Sequence, residues 1–181
     1  MTRIVALSGS LSRPSKTLAL VRTLAERLAQ RVGGTVVTVD IAELAPDLGR
    51  ALSFKDLPAS VAQAHQALAD ADVLIIGSPV YKGSYTGLLK HFLDLLDPDR
   101  IAGRVAVLAA TGGSDRHALV IDHQLRPLAS FFELNTVPAG IYVRDTDFIH
   151  GQPDSDAAQA RIQRVVDQTV ALLGQEALAA A

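Results

Sequence analysis

Three short polar runs carry most of the chemistry this sequence could do. The first, Ser8-Gly9-Ser10-Leu11-Ser12-Arg13-Pro14-Ser15-Lys16-Thr17, follows the apolar run Ile4-Val5-Ala6-Leu7 and opens an amphipathic stretch. A loop that enters a helix N-terminus offers free amides and the positive end of the helix dipole, and both favour an anion. Hydroxyls at Ser10, Ser12, Ser15 and Thr17 add donors. The run lacks the glycines of a GxGxxG loop and the Gly-Lys-Thr ending of a Walker loop, so neither of those nucleotide sites is expected. Beside the anion reading stands a plainer one, in which Ser15 only caps the helix. The second run, Ser78-Pro79-Val80-Tyr81-Lys82-Gly83-Ser84-Tyr85, follows Asp72-Val73-Leu74-Ile75-Ile76-Gly77. Its backbone could face the polar edge of a flat heterocycle, or it could be an ordinary turn with Tyr81 packed on the rim. The third, Thr111-Gly112-Gly113-Ser114, brings backbone without side chains close to whatever binds. By itself it is a common turn.

The elements that must position these runs follow from hydrophobic period. Strands are expected over residues 4–7, 35–39, 72–77, 104–110 and 136–143. The 72–77 segment is apolar throughout, as suits a central parallel strand, and 35–39 is β-branched. Helices are expected over 15–31, 60–71, 85–96, 115–131 and 156–173. Leu18, Val21, Leu24 and Leu28 mark the first at helical spacing, and Gly33-Gly34 ends it. Pro127 should bend the helix over 115–131. Residues 40–59, with two prolines and a glycine, read as a long loop holding at most one helical turn. The Ala-rich tail over 174–181 is expected to fray. Strands alternating with helices give an α/β fold, a doubly wound parallel sheet in a three-layer α/β/α arrangement. Ligands of such sheets sit beyond the carboxyl ends of the strands, where all three polar runs should converge.

Composition removes several classes. A chain of 181 residues suits one domain spanning 1–181, and no internal repeat or linker breaks it. Seventeen Lys and Arg against nineteen Asp and Glu give a net charge of -2, which argues against nucleic acid or an anionic membrane as partner. With no cysteine, disulfides, thiolate nucleophiles, zinc–thiolate sites and iron–sulfur clusters are excluded. The N-terminal apolar run is too short for a signal peptide or a membrane span, so a cytoplasmic protein is expected. His65, His91, His117, His123 and His150 lack metal-ligand spacing, and no metal site is expected. His65 and His91 are expected on helix surfaces, and Asp94, Asp97 and Asp99 in solvent. No Gly-x-Ser-x-Gly elbow points to a hydrolase, and no carboxylate ends the first strand as a response regulator would need.

The motifs Gly9-Ser10-x4-Ser15-x-Thr17, Ser78-Pro79-Val80-Tyr81-Lys82-Gly83-Ser84-Tyr85-Thr86-Gly87-Leu88-Leu89-Lys90 and Thr111-Gly112-Gly113-Ser114 resemble those of the NAD(P)H-dependent FMN reductases of flavodoxin-like fold. The likeness is closest to the reductase components of two-component alkanesulfonate and methanesulfonate monooxygenases, and it spans roughly residues 3–150. It implies a five-stranded sheet in order 2-1-3-4-5. It implies that Ser10, Ser15 and Thr17 hold the FMN phosphate, with Ser12 where many relatives carry Arg and Arg13 beside it. Pro79, Val80 and Tyr81 would line the isoalloxazine and ribityl chain, with Lys82 either assisting or meeting solvent. Gly112, Gly113 and Ser114 would border the pyrimidine end. Hydride would pass from the nicotinamide of NADH or NADPH to FMN, so no catalytic acid is expected. FMNH2 would then go to an FMNH2-dependent monooxygenase in organosulfonate sulfur assimilation. A homotetramer is implied, with the helix over 119–127 between subunits and one extra residue, His123, forming a π-bulge. A plain helix kinked at Pro127 is the alternative there. Two other functions compete: an NAD(P)H quinone or azo reductase that keeps its FMN, and a flavodoxin-type electron carrier. The carrier is disfavoured by the absence of Trp, three Tyr and a net charge of only -2.

Overall fold

The structure, a computed structural model, describes residues 1–179. Six strands form one sheet: β1 (Arg3–Ser8), β2 (Thr35–Asp40), β3 (Val73–Pro79), β4 (Val105–Gly112), β5 (Asn135–Thr136) and β6 (Ile141–Arg144). Every pairing is parallel. The order is β2-β1-β3-β4, and both β5 and β6 pair with β4. β5 meets Val105–Ala106 and β6 meets Ala109–Gly112, so the two lie in tandem at one edge position. The order 2-1-3-4-5 is therefore present, with its fifth position in two pieces. Pro138 stands in the gap; it has no N–H to give a ladder and belongs at such an edge break.

Alternation along the central strands builds two cores. Ile4, Ala6, Val73, Ile75, Val105 and Val107 face α1 (Lys16–Val32) and α6 (Asp156–Ala179). Val5, Leu7, Leu74, Ile76, Ala106 and Leu108 face the opposite layer. That layer holds α2 (Ile41–Leu48), α3 (Ala59–Ala69), α4 (Gly87–Asp94) and α5 (Arg126–Phe131). A strand's side chains alternate between faces, so a fully apolar strand serves both layers at once.

Several expectations are corrected. Residues 40–59 contain α2, two full turns capped by Asp40, whose Oδ1 accepts from the Ala42 amide at 3.2 Å. Pro46 lies inside it at the cost of one backbone bond, while the buried Ile41 and Leu48 anchor both ends. His65 and His91 are not surface residues. His65 is 2% exposed, its Nε2 3.0 Å from the Phe92 carbonyl and its ring against Phe92. His91 is half-buried with Nε2 3.1 and 2.8 Å from the carbonyls of Leu48 and Ala51. Both faces turn inward because α2, α3 and α4 pack on one another.

The segment 115–131 is not one helix. A single 3-10 turn (Asp115–His117) leads to a π-helical turn at Ile121–Leu125 and then to α5. The Arg126 amide donates to the Ile121 carbonyl, five residues back, which is the π pattern. The π-bulge at His123 is thus present, and Pro127 falls in the first turn of α5 rather than kinking a plain helix. α6 continues past Gly174 to Ala179, where fraying was expected; residues 180 and 181 of that tail lie outside the described residues. Among the described residues no helix is long and apolar enough to cross a membrane, and no group of His, Asp and Glu could hold a metal ion.

Candidate functional site

The sheet register brings the three polar runs to one edge. Ser8 pairs with Gly77, Pro79 with Thr111, and Gly112 with Arg144. Each run therefore leaves its strand at nearly the same height, and hydrogen bonds tie one to the next. Thr17 and Thr111 share a buried hydroxyl contact of 2.7 Å between the first and third runs. The Val80 amide donates to the Thr111 carbonyl at 2.9 Å, joining the second to the third. Thr86 Oγ1 donates to the Gly9 carbonyl at 2.6 Å, joining the second to the first.

In the first run, Ser10 is buried and its Oγ accepts from the Ser12 amide at 3.2 Å. Ser12 is exposed, its hydroxyl 3.0 Å from the Tyr81 hydroxyl. Ser15 caps α1, accepting from the Leu18 amide at 3.1 Å. Cap and anion readings meet on the same atom. Thr17 is buried and its hydroxyl meets that of Thr111, a tie beneath the loop. Arg13 lies 2.8 Å from Asp40 Oδ2, an ionic contact without hydrogen-bond alignment. Lys16 bonds Asp145 at 3.1 Å.

In the second run, Pro79 and Val80 are half-buried, and Tyr81 and Lys82 are exposed. Tyr81 and Ser84 exchange backbone bonds of 2.9 and 3.1 Å around Lys82 and Gly83, both at positive φ. This is the geometry of a two-residue turn with both central residues left-handed, and glycine suits its second position. Lys82 therefore projects from a hairpin tip. Ser84 Oγ donates to Gln124 Oε1 at 3.0 Å, linking this hairpin to the π-helical turn.

In the third run, Gly112 and Ser114 are half-buried and Gly113 is exposed. Tyr142 of β6 donates its hydroxyl to the Ser114 carbonyl at 2.7 Å. Burial first, then the charges of Asp115 and Asp145, push the Tyr142 phenol above its ordinary pKa, so it stays a donor. At the end of β6, Arg144 holds Asp147 at 3.2 Å, and that hydrogen bond keeps the Asp147 carboxyl below the usual range.

The sequence reading brought all eleven proposed contact residues to this edge. It missed what braces the runs from other elements: Asp40 beside Arg13, Gln124 on Ser84, Tyr142 on Ser114 and Arg144 on Asp115. The three runs contain no His, Asp or Glu. The arrangement can bind an anionic group and a flat ring through hydroxyls and amides, but it holds no acid–base pair of its own.

The profile of a family described as NADPH-dependent FMN reductase matches residues 2–148. The chain is 45% identical over 172 residues to "NADH-dependent FMN reductase SfnF" of Pseudomonas fluorescens, covering 95% of this chain and 92% of that one. It is 41% identical to "FMN reductase (NADPH)" of Pseudomonas aeruginosa over the same shares of each chain. Among solved structures it is similar to the apo form of the NADH:FMN oxidoreductase EmoB, with a TM-score of 0.84 and 34% identity over 93% of this chain and 88% of that one. The profile match spans the three polar runs, and the chain belongs to the NADPH-dependent FMN reductase family.

Proposed function

We propose that this FMN reductase takes FMN as a substrate and releases FMNH2 to a separate monooxygenase acting on an organosulfur compound. The carrying observation is the convergence of three hydroxyl- and amide-rich runs, free of carboxylates, beyond the ends of β1, β3 and β4. In this reading Ser10, Ser12 and Ser15 receive the phosphate, and Thr17 steadies their loop from below. Pro79, Val80, Tyr81 and Lys82 flank the ring and ribityl chain. Gly112, Gly113 and Ser114 border the pyrimidine end. Nicotinamide and flavin supply the hydride chemistry; the chain's part is to stack and orient them. The whole chain acts as one domain, in the cytoplasm. Relatives named for NADH and for NADPH both match, so either nicotinamide fits this reading.

A homotetramer is part of the proposal. Phe54, Leu119 and Phe131 are 68%, 63% and 69% exposed, and the π-helical turn presents Asp122 and His123 to solvent. Large apolar side chains left open on one molecule suit contact with further copies. Sedimentation as a fully active monomer at micromolar concentration would reject the assembly. For activity, the test is oxidation of NADH or NADPH with FMN in molar excess over enzyme. Many turnovers per protein are expected. Oxidation that needs quinone and saturates at one FMN per protein would favour the FMN-retaining reductase instead.

A further inference from the structure

We propose that Tyr142 is a positioning residue for flavin binding, acting through the Ser114 carbonyl and the face of Gly112. The proposal rests on reading Gly112–Ser114 as the border of the flavin. Two successive glycines give this loop no side chain with which to fix itself, and each adds backbone freedom. The β4–β6 ladder stops at Gly112. Past that point, Tyr142 reaches over from the edge strand and donates to Ser114 at 2.7 Å. Gly112 is the complementary half of the contact: a Cβ there would run into the Tyr142 hydroxyl. Fixing the Ser114 carbonyl fixes the whole plane of its peptide with Asp115. Thr111 is held at the near end of the loop by Thr17 and Val80, but beyond the glycines the Ser114 carbonyl takes only a longer bond from the His117 amide, 3.3 Å, besides the Tyr142 hydroxyl, and Arg144 to Asp115, 3.4 Å between exposed groups, holds weakly.

A Tyr buried only for packing would be replaced by Phe without consequence. The hydroxyl is what distinguishes the two roles. Tyr142→Phe keeps the ring and removes the tie. The expected result is a rise of about fivefold to tenfold in both KM and Kd for FMN, with kcat at saturating FMN changed by less than about twofold, as loss of one hydrogen bond used in binding predicts. Gly112→Ala should reproduce the rise by displacing the hydroxyl. The double variant should be no worse than Gly112→Ala alone, because both changes break one contact. Thermal melting of each variant, read alongside, identifies any loss of fold; if Tyr142→Phe is unfolded, a folded Gly112→Ala decides, and unchanged KM and Kd for FMN in it overturn the proposal. A folded Tyr142→Phe with unchanged KM and Kd overturns the proposal.

Gly113→Phe separates this from the underlying reading. A Cβ at Gly113 meets only Asp145 Oδ2, at 3.6 Å, an ordinary contact at an exposed position. The variant should abolish FMN binding while the melting temperature holds. If Gly113→Phe binds FMN like the unmodified chain, the third loop does not border the flavin and both ideas fall. If it abolishes binding while Tyr142→Phe does nothing, only the role of Tyr142 falls.

Discussion

Ser15 shows how one side chain can serve both structure and binding. As the N-cap of α1 it accepts from the Leu18 amide. Asp is an equally good cap, so Ser15→Asp preserves the helix end while adding a negative charge. The expected outcome is an unchanged or slightly raised melting temperature together with loss of any preference for FMN over riboflavin, measured by flavin fluorescence quenching. Retained preference would leave only the cap. The hydroxyls of the first run were legible because they are contiguous. Their supports were not: Thr17 meets Thr111, and Arg13 meets Asp40 across two strands. Such pairs exist only once register is set. His65 carries a second residue-scale expectation. Burial lowers its pKa below the ordinary 6.5, with the Phe92 carbonyl opposing. A depressed folded pKa means the unfolded chain binds the proton more readily. Stability from this group is therefore full above about pH 6.5 and falls as the pH drops towards the folded pKa. Urea midpoints at pH 7.5 and 5.5 should differ in the unmodified chain and differ less in His65→Gln. An equal difference in both would place the acid sensitivity elsewhere.

At the scale of elements, the least legible stretch was 115–131. Its apolar period and Pro127 suggested one bent helix, yet the chain inserts a π turn before Pro127. An insertion of one residue changes hydrogen-bond partners without changing composition, so hydrophobic period cannot reveal it; only the likeness to the family pointed to His123. The turn has a local consequence. It leaves Gln124 half-buried and facing Ser84, 40 residues away, in the hairpin that carries Tyr81 and Lys82. Gln124→Ala and Ser84→Ala should each raise the KM for FMN about twofold to fivefold, in line with the loss of one partly buried hydrogen bond. The double variant should match either single one, since both remove the same bond. Additive losses would mean that the two residues act separately. The edge strand was legible in place but not in form. Residues 136–143 were expected as one strand, and the Pro138 break divides them between β5 and β6. That break leaves β6 ending level with the third run, where Tyr142 and Arg144 reach it.

For the whole molecule, the doubly wound parallel sheet was legible from strands alternating with helices, and right-handed crossovers left few arrangements, but the order 2-1-3-4-5 came only from the likeness to the family. The same plan fixes what the molecule can do with a flavin. A tightly kept flavin is usually clamped between aromatic rings, each adding about 0.5–1.5 kcal/mol beyond area burial. Here the exposed ring of the three runs is Tyr81, 43% exposed and tethered to Ser12, while Tyr85 at the end of the second run is half-buried against the core. Lacking two such contacts weakens binding by about 1–3 kcal/mol, or roughly one to two decades in Kd. One face must in any case stay open for nicotinamide. The expected dissociation constant is on the order of micromolar, a range that would let FMN enter and FMNH2 leave within turnover. Protein purified without added flavin should be nearly colourless, and FMN added back should be lost on dialysis. Adding a second ring should shift this balance. Val80→Trp, beside Tyr81 on a half-buried position of the second run, is expected to lower the Kd for FMN while slowing release, so that kcat falls as affinity rises. A yellow protein that keeps stoichiometric FMN through dialysis would instead mean that the flavin stays while a second acceptor comes and goes.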